Sequence, residues 1–350
     1  MRADELDYDL PSALIAQEPP AERDGARLLV VERGGAELLH RQVVDLPACL
    51  ERALFVLNDT QVIPARLLGQ RPSGGRFEVL LIERTSGEGV SEEWLAMGRP
   101  LKSLKPGLVL ALEHLVITVG ERVGASMLRV RLEAAGGVLA ALQRVGHVPL
   151  PPYITRGDNP HDTRRYQTIF AREPGAVAAP TASLHFSPGL LDALERQGHE
   201  RAFVTLHVGP GTFAPLAVDD LRDHPMHEER YHVPDATVEA IARAKSDGRP
   251  VVAVGTTVMR TLEAAAAKPG GLRAGAGRTR ICIYPPYQFL VADALLTNFH
   301  LPRSTLLALV MAFAGVDTTR LAYAGAVAGA YRFFSYGDAM LVKPRLAAHR

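Results

Sequence analysis

The sequence predicts an α/β fold: a mixed, largely parallel sheet with packed helices, interrupted by an inserted small β-barrel. Two observations carry this. In the second half of the chain, short apolar runs alternate with segments of helical period, as repeated strand–helix units do. From about Leu67 to about Val148 that period is nearly absent, and β-rich runs follow one another between Gly, Ser and Pro. The 350-residue length agrees, since it suits about two domains. Residues 1–66 and 149–350 are therefore read as one discontinuous domain, and residues 67–148 as the insert.

The insert contains RFEVLLIE, EWLAM, LVLAL, HLVITV and MLRVRLE, with one helical stretch at Val138–Gln143. Its joints fall near Ile63-Pro64-Ala65-Arg66 and Pro149-Leu150-Pro151-Pro152-Tyr153, where prolines disfavour helix. Beyond it, Ser187-Pro188 is an N-cap and first-turn pair, and Leu190, Leu191 and Leu194 share one face before Gly198 ends the helix. AFVTLHV at Ala202–Val208 reads as a buried strand. A helix over Thr237–Asp247 stops at Gly248-Arg249-Pro250. Val251–Gly255 is a strand, Val258–Ala267 a helix and Arg280–Tyr284 a third strand. The glycine-rich, basic run Gly270–Arg280 is either a surface loop or a phosphate contact.

Composition is that of a globular protein, with 47% hydrophobic and 22% charged residues. The N-terminus is acidic without an apolar core, so no signal peptide is expected. Leu306–Ala314 is the longest strongly apolar stretch, far below the ~18 residues of a membrane span. Two distant cysteines, Cys49 and Cys282, suit a reducing compartment or simple burial as small hydrophobes. The expectation is a cytoplasmic monomer with no membrane contact. Net charge is +1, so any nucleic-acid contact must come from a local patch.

Chemistry concentrates in a few segments. GAVAAPTASLHF at Gly175–Phe186 and HVGPGTF at His207–Phe213 each set a histidine among small residues, Gly and Pro. Small residues allow close backbone approach, and histidine moves protons near neutral pH. Both segments read as pocket walls, with His185 and His207 as acid/base candidates. HPMHEERYH offers His224, His227 and His232 at a spacing that zinc could use, but Pro225 opposes a helix that would align them. His227 with Glu229 could instead form a general acid/base pair, or cap a loop.

Gly255-Thr256-Thr257 ends a strand and opens a helix, a place for a polar or anionic group. Arg260 on the next turn could hold a carboxylate or pair with Glu263. In TNFHLPRST, Asn298 and His300 stand near a strand end, a helix is expected from Pro302, and Arg303 with Ser304 could hold phosphate. Asp338 is catalytic or orients a neighbour. Arg23-Asp24, Arg27 and Arg66 cluster early with Asn58-Asp59-Thr60, which is a substrate contact or an Asx-stabilised turn. Arg156, Arg164 and Arg165 surround Tyr166-Gln167, a pattern suited to splayed bases and phosphates or to a solvated charge run.

In order along the chain, GAVAAPTASLHF, HVGPGTF, MHEERY, VVAVGTTVMRTLE, TNFHLPRST and YRFFSYGDAM resemble the S-adenosylmethionine:tRNA ribosyltransferase-isomerases of the queuosine pathway. The resemblance implies transfer and isomerisation of the S-adenosylmethionine ribosyl group onto 7-aminomethyl-7-deazaguanine at the tRNA wobble position. The products would be epoxyqueuosine-tRNA, adenine and methionine. S-adenosylmethionine would be a co-substrate, with no prosthetic group and no metal. On this reading His185, His207, His227, Glu229 and Asp338 are catalytic. Gly255, Thr256, Thr257, Arg260, Asn298 and His300 bind S-adenosylmethionine. Arg156, Arg164, Arg165, Tyr166 and Arg303 bind tRNA. The alternatives are a metal-dependent hydrolase using His224, His227 and His232, and a non-catalytic RNA-binding module.

Overall fold

The computed structural model describes residues 1–209, 216 and 218–345. Pro210, Gly211, Thr212 and Phe213 of the HVGPGTF segment therefore lie outside the described residues. Elements are numbered in chain order.

A nine-stranded sheet is made of β1 (Arg27–Glu32), β2 (Leu39–Gln42), β3 (Leu54–Asn58), β12 (Glu200–Leu206), β13 (Glu229–Val233), β14 (Val251–Val254), β15 (Gly275–Thr279), β16 (Ala294–Asn298) and β17 (Ala339–Lys343). Their spatial order is β15-β13-β12-β3-β14-β16-β17-β1-β2. The centre, β12-β3-β14-β16, is parallel. β13 and β15 join antiparallel on one side, and β17 pairs antiparallel with β16 on the other.

Central strands LFVLN, VVAV and ALLTN are buried at every position, because helices cover both faces of the sheet. Leu54 and Val56 share a core with Ile241 of α4 (Asp235–Ser246) and Leu262 of α5 (Thr256–Ala266). Phe55 and Leu57 turn to the other face, against Leu190 and Leu194 of α3 (Pro188–Arg196). The Ser187 hydroxyl caps α3 by accepting from Leu190 N at 3.0 Å.

Two local expectations are corrected. Arg280–Tyr284 is not a strand; the strand is β15, inside the run read as a glycine-rich loop. β13 supplies its hydrogen bonds, pairing Glu229 with Thr279 and Val233 with Gly275, so a tertiary partner overrides weak local propensity. Helix α6 (Thr305–Ala314) does not begin at Pro302. Ser304 caps it, accepting from Leu307 N at 3.2 Å. α6 turns into α7 (Val316–Ala328) with a bend of 116°, and among the described residues no single helix is long and apolar enough to cross a membrane.

A ribbon of β4 (Thr60–Val62) and β11 (Glu173–Ala176) adjoins a second sheet. That sheet consists of β5 (Arg66–Gln70), β6 (Arg76–Glu88), β7 (Ser91–Arg99), β8 (Val109–Leu112), β9 (Leu115–Val123) and β10 (Met127–Glu133). It is antiparallel in the order β5-β6-β7-β10-β9-β8 and curls into a nearly closed barrel. Gly69 marks the closure: a Cβ there would sit 2.7 Å from Phe77 Cε1 and 2.9 Å from Leu112 Cδ2, across the gap between β5 and β8. The barrel has its own core, including Leu67, Trp94 and Ile117, with α1 (Val138–Val145) packed on it. Its two connections bond to each other, Arg66 N to His147 O at 3.2 Å and His147 N to Arg66 O at 2.8 Å. Glu83 of β6 also reaches the large sheet, pairing with Arg230 at 3.3 Å and Arg278 at 3.4 Å.

Candidate active site

The carboxyl ends of β14 and β16 open into a cavity, the usual ligand position in such sheets. Gly255 follows β14 with φ +94°, a conformation that favours glycine, and α5 starts directly after it. Asn298 closes β16. The short turn Thr181–His185 crosses these ends and contributes Thr181 and Ala182 to the wall. Of the six residues expected from the sequence as one group, Gly255, Thr256, Thr257, Asn298 and His300 line this cavity and Arg260 does not; Leu306 and Ser335 line it as well.

A second cavity shares Leu306 with the first. It is lined by Arg260, Glu229, His224, Met226, His227 and Cys282, among others. The Arg260 guanidinium forms a buried ion pair with Glu229, not with Glu263. Glu263 instead accepts from Leu290 N at 2.8 Å and Val291 N at 3.0 Å. Arg260 Nε also donates to Ile281 O at 3.2 Å. Glu229, buried at the start of β13, pairs with Arg260, and His227 is exposed; both line this cavity, and no hydrogen bond joins the two among the described residues.

Two buried histidines, His300 in the strand-end wall and His185 behind Asn298, are held uncharged. Burial lowers His185 to about 4 and His300 to about 3. His300 Nε2 lies 2.9 Å from Thr297 Oγ1. Asn298 Nδ2 donates to Phe334 O at 3.2 Å and lies 3.2 Å from His185 Nε2. An amide donating to Nε2 assigns the His185 proton to Nδ1. Among the described residues, the buried atoms Thr257 Oγ1, Asn298 Oδ1 and Arg260 Nη2 have no hydrogen-bond partner. Buried polar groups are normally satisfied, so unpaired ones on residues that line cavities are suited to a ligand.

Other expected residues lie elsewhere. His207 lines neither cavity; its ring packs on Gly175, bonds Thr60 Oγ1 at 2.9 Å and is lowered by burial to about 4. Asp338 is occupied by Arg27, which donates from its backbone N at 2.9 Å and from Nη2 at 2.9 Å, and by Arg332 N at 2.8 Å. It contributes negative charge that favours protonated His185, against the larger effect of burial. Asn58 supports the turn alternative, accepting from Thr60 N and Leu206 N at 3.1 Å each. The Ser304 hydroxyl accepts from Leu307 N and donates its proton to Leu301 O, so that proton is already used.

The proposed RNA patch breaks up. Tyr166 is buried edge-to-face against Tyr336 and offers no face to a base. Arg156 is clamped by Asp162 and Glu18. Arg165 Nη1 donates to Ala21 O at 2.9 Å. Arg164 and Arg303 remain exposed. For the hydrolase alternative, His232 points outward from β13, and among the described residues no three His, Cys, Asp or Glu side chains form a metal-ligating group. Sequence reasoning missed Cys282 and Leu306. Both sit in apolar runs whose only local signal is hydrophobicity.

A strand-end cavity with a neutral imidazole in its wall and unpaired polar atoms on lining residues suits an α/β enzyme that takes a polar small molecule. The chain belongs to the family described as Queuosine biosynthesis protein, which it matches over residues 3–342. It is 54% identical to an S-adenosylmethionine:tRNA ribosyltransferase-isomerase from Sorangium cellulosum, over 98% of this chain and 99% of that one. It is 55% identical to the protein of the same name from Azoarcus sp., over 97% and 96%. The crystal structure of an S-adenosylmethionine tRNA ribosyltransferase from Thermotoga maritima is similar at 37% identity, with a TM-score of 0.55, over 97% of this chain and 99% of that one.

Proposed function

We propose that this chain is an S-adenosylmethionine:tRNA ribosyltransferase-isomerase of queuosine biosynthesis. The observation that carries the reading is identity above half, along nearly the full length, to proteins of that name. The strand-end cavity supports it, since an uncharged polar pocket suits a nucleoside.

The reaction moves the ribosyl group of S-adenosylmethionine to the aminomethyl group of the deazaguanine base and releases adenine and methionine. The sulfonium acidifies the neighbouring C5′ protons, so a neutral base can remove one. We assign that task to an imidazole of the strand-end cavity. His300 lines it directly, and His185 acts through Asn298, holding its amide so that Oδ1 faces the ligand. Thr257 and Asn298 bind hydroxyl or amino groups of the nucleoside. Arg164 and Arg303 are the residues retained for tRNA phosphates. The division into a catalytic domain of residues 1–66 and 149–350 and a barrel of residues 67–148 is part of the same reading, as are a cytoplasmic location and a monomeric state.

The test is product analysis with tRNA bearing the 7-aminomethyl-7-deazaguanine base. Adenine and methionine should appear in equal amounts and only with that tRNA. S-adenosylhomocysteine as the product would mean methyl transfer and overturn the reading.

A further inference from the structure

We propose that the second cavity, around Arg260 and Glu229, is a receptor for an α-amino-acid zwitterion. The carboxylate is held by Arg260 and the ammonium by Glu229. This rests on the function proposed above and divides its co-substrate: the amino-acid end lies here and the nucleoside end in the strand-end cavity.

Three observations lead to it. The first is the incomplete use of the pair. Arg260 and Glu229 side chains are 5% and 6% exposed and joined by one contact, Nη1 to Oε2. Nε is taken by Ile281 O, but Nη2, with two N–H groups, is buried and unpartnered among the described residues. A buried, unsatisfied cationic donor is costly, and a carboxylate is its strongest complement.

The second is charge balance. A phosphate would meet the Glu229 carboxylate, and a simple amine would meet the Arg260 guanidinium. A group carrying both charges on one carbon meets each with its opposite and adds no net charge beside the pair. That avoids the heavy cost of a lone buried charge.

The third is the rest of the lining. Ile281, Leu306 and Leu309 provide an apolar wall beside the pair, suited to the methylene chain next to sulfur. Leu306 also borders the strand-end cavity, so the two chambers are neighbours, as the two ends of one extended ligand require. Glu229 is thereby moved from the acid/base set to substrate binding.

Binding to the full chain can be measured by calorimetry with S-adenosylmethionine, its decarboxylated form and the analogue lacking the α-ammonium. Each truncated analogue should bind wild type at least about tenfold more weakly, the size expected for losing a charge-assisted bond. Glu229→Gln should abolish the penalty for the missing ammonium and leave that for the missing carboxylate. Arg260→Lys should reduce the carboxylate penalty. Should either variant misfold by circular dichroism, the double variant Glu229→Gln with Arg260→Met removes both charges together. It should bind all three ligands alike. Failure of S-adenosylmethionine itself to bind wild type would reject the function. Equal binding of all three ligands to wild type would reject only the zwitterion receptor.

Discussion

At the scale of single residues, three histidines whose values desolvation lowers, His185, His207 and His300, tie this fold to pH. The folded values of His185 and His207 are lowered to about 4 and that of His300 to about 3, against an ordinary 6.5. Below 6.5 the unfolded chain therefore takes up protons that the folded chain refuses. Stability should be complete above that value and fall as the pH drops toward 4. Between about pH 6.5 and 5.5 most carboxylates stay ionised, so the melting temperature there should decline mainly through these histidines. His185→Asn should flatten the decline. A wild-type melting temperature that is constant over that interval would contradict neutral burial.

Residue types with local meaning were legible in the sequence: Gly255 with its two threonines, and Asn298 and His300 at a strand end, meet in one cavity. Residues whose meaning depends on distant partners were not. Arg156 reads as a phosphate ligand until Glu18, 138 positions away, binds it. Tyr166 reads as a base-stacking ring until Tyr336 covers it.

At the scale of elements, the capped helix α3 was legible from its sequence, while the start of α6, the whole of α7 and the edge strand β15 were not. Ser187 and Ser304 both cap the helices that follow, because a hydroxyl before the first turn satisfies an amide that has no helical partner. β15, with the sequence GAGRT, has little strand propensity and exists through β13. The apolar RICIY run beside it looks more like a strand, yet Ile281 lines a cavity and its carbonyl serves Arg260. The cap at Ser304 can be tested. Its hydroxyl accepts from Leu307 N and donates to Leu301 O at 2.8 Å, and α6 carries the Leu306 that both cavities share. Ser304→Ala should destabilise the protein by ~1 kcal/mol, and Ser304→Gly by only a few tenths. Urea unfolding of the three proteins measures this. Equal midpoints for Ala and wild type would mean that the cap contributes nothing.

At the scale of the whole molecule, the large sheet carries both cavities and the barrel adjoins its β13–β15 edge. The paired connections at Arg66 and His147 join them, and Glu83 adds ion pairs with Arg230 and Arg278. Those charges are partly exposed, so each pair contributes at most about 1 kcal/mol. They also matter for what remains free to meet a polyanion. The chain has 39 basic and 38 acidic residues, and many arginines are already committed to carboxylates, Arg278 with both Glu228 and Glu83 among them. Phosphate binding must then come from arginines without such partners, and Arg164 and Arg303 are exposed and free of ion pairs among the described residues. If they touch tRNA, each neutralised phosphate releases counterions, and affinity falls with salt by a slope of ~0.7–0.9 per contact. Arg164→Ala and Arg303→Ala should each weaken tRNA binding and reduce the log–log salt slope by about that amount, with the melting temperature unchanged. Arg156→Ala should do the reverse: the fold loses stability because buried Asp162 is left without its cation, while the slope measured on the folded fraction stays the same. Filter-binding titrations at several salt concentrations separate these outcomes. An unchanged slope for both Arg164→Ala and Arg303→Ala would place the tRNA on another face of the molecule.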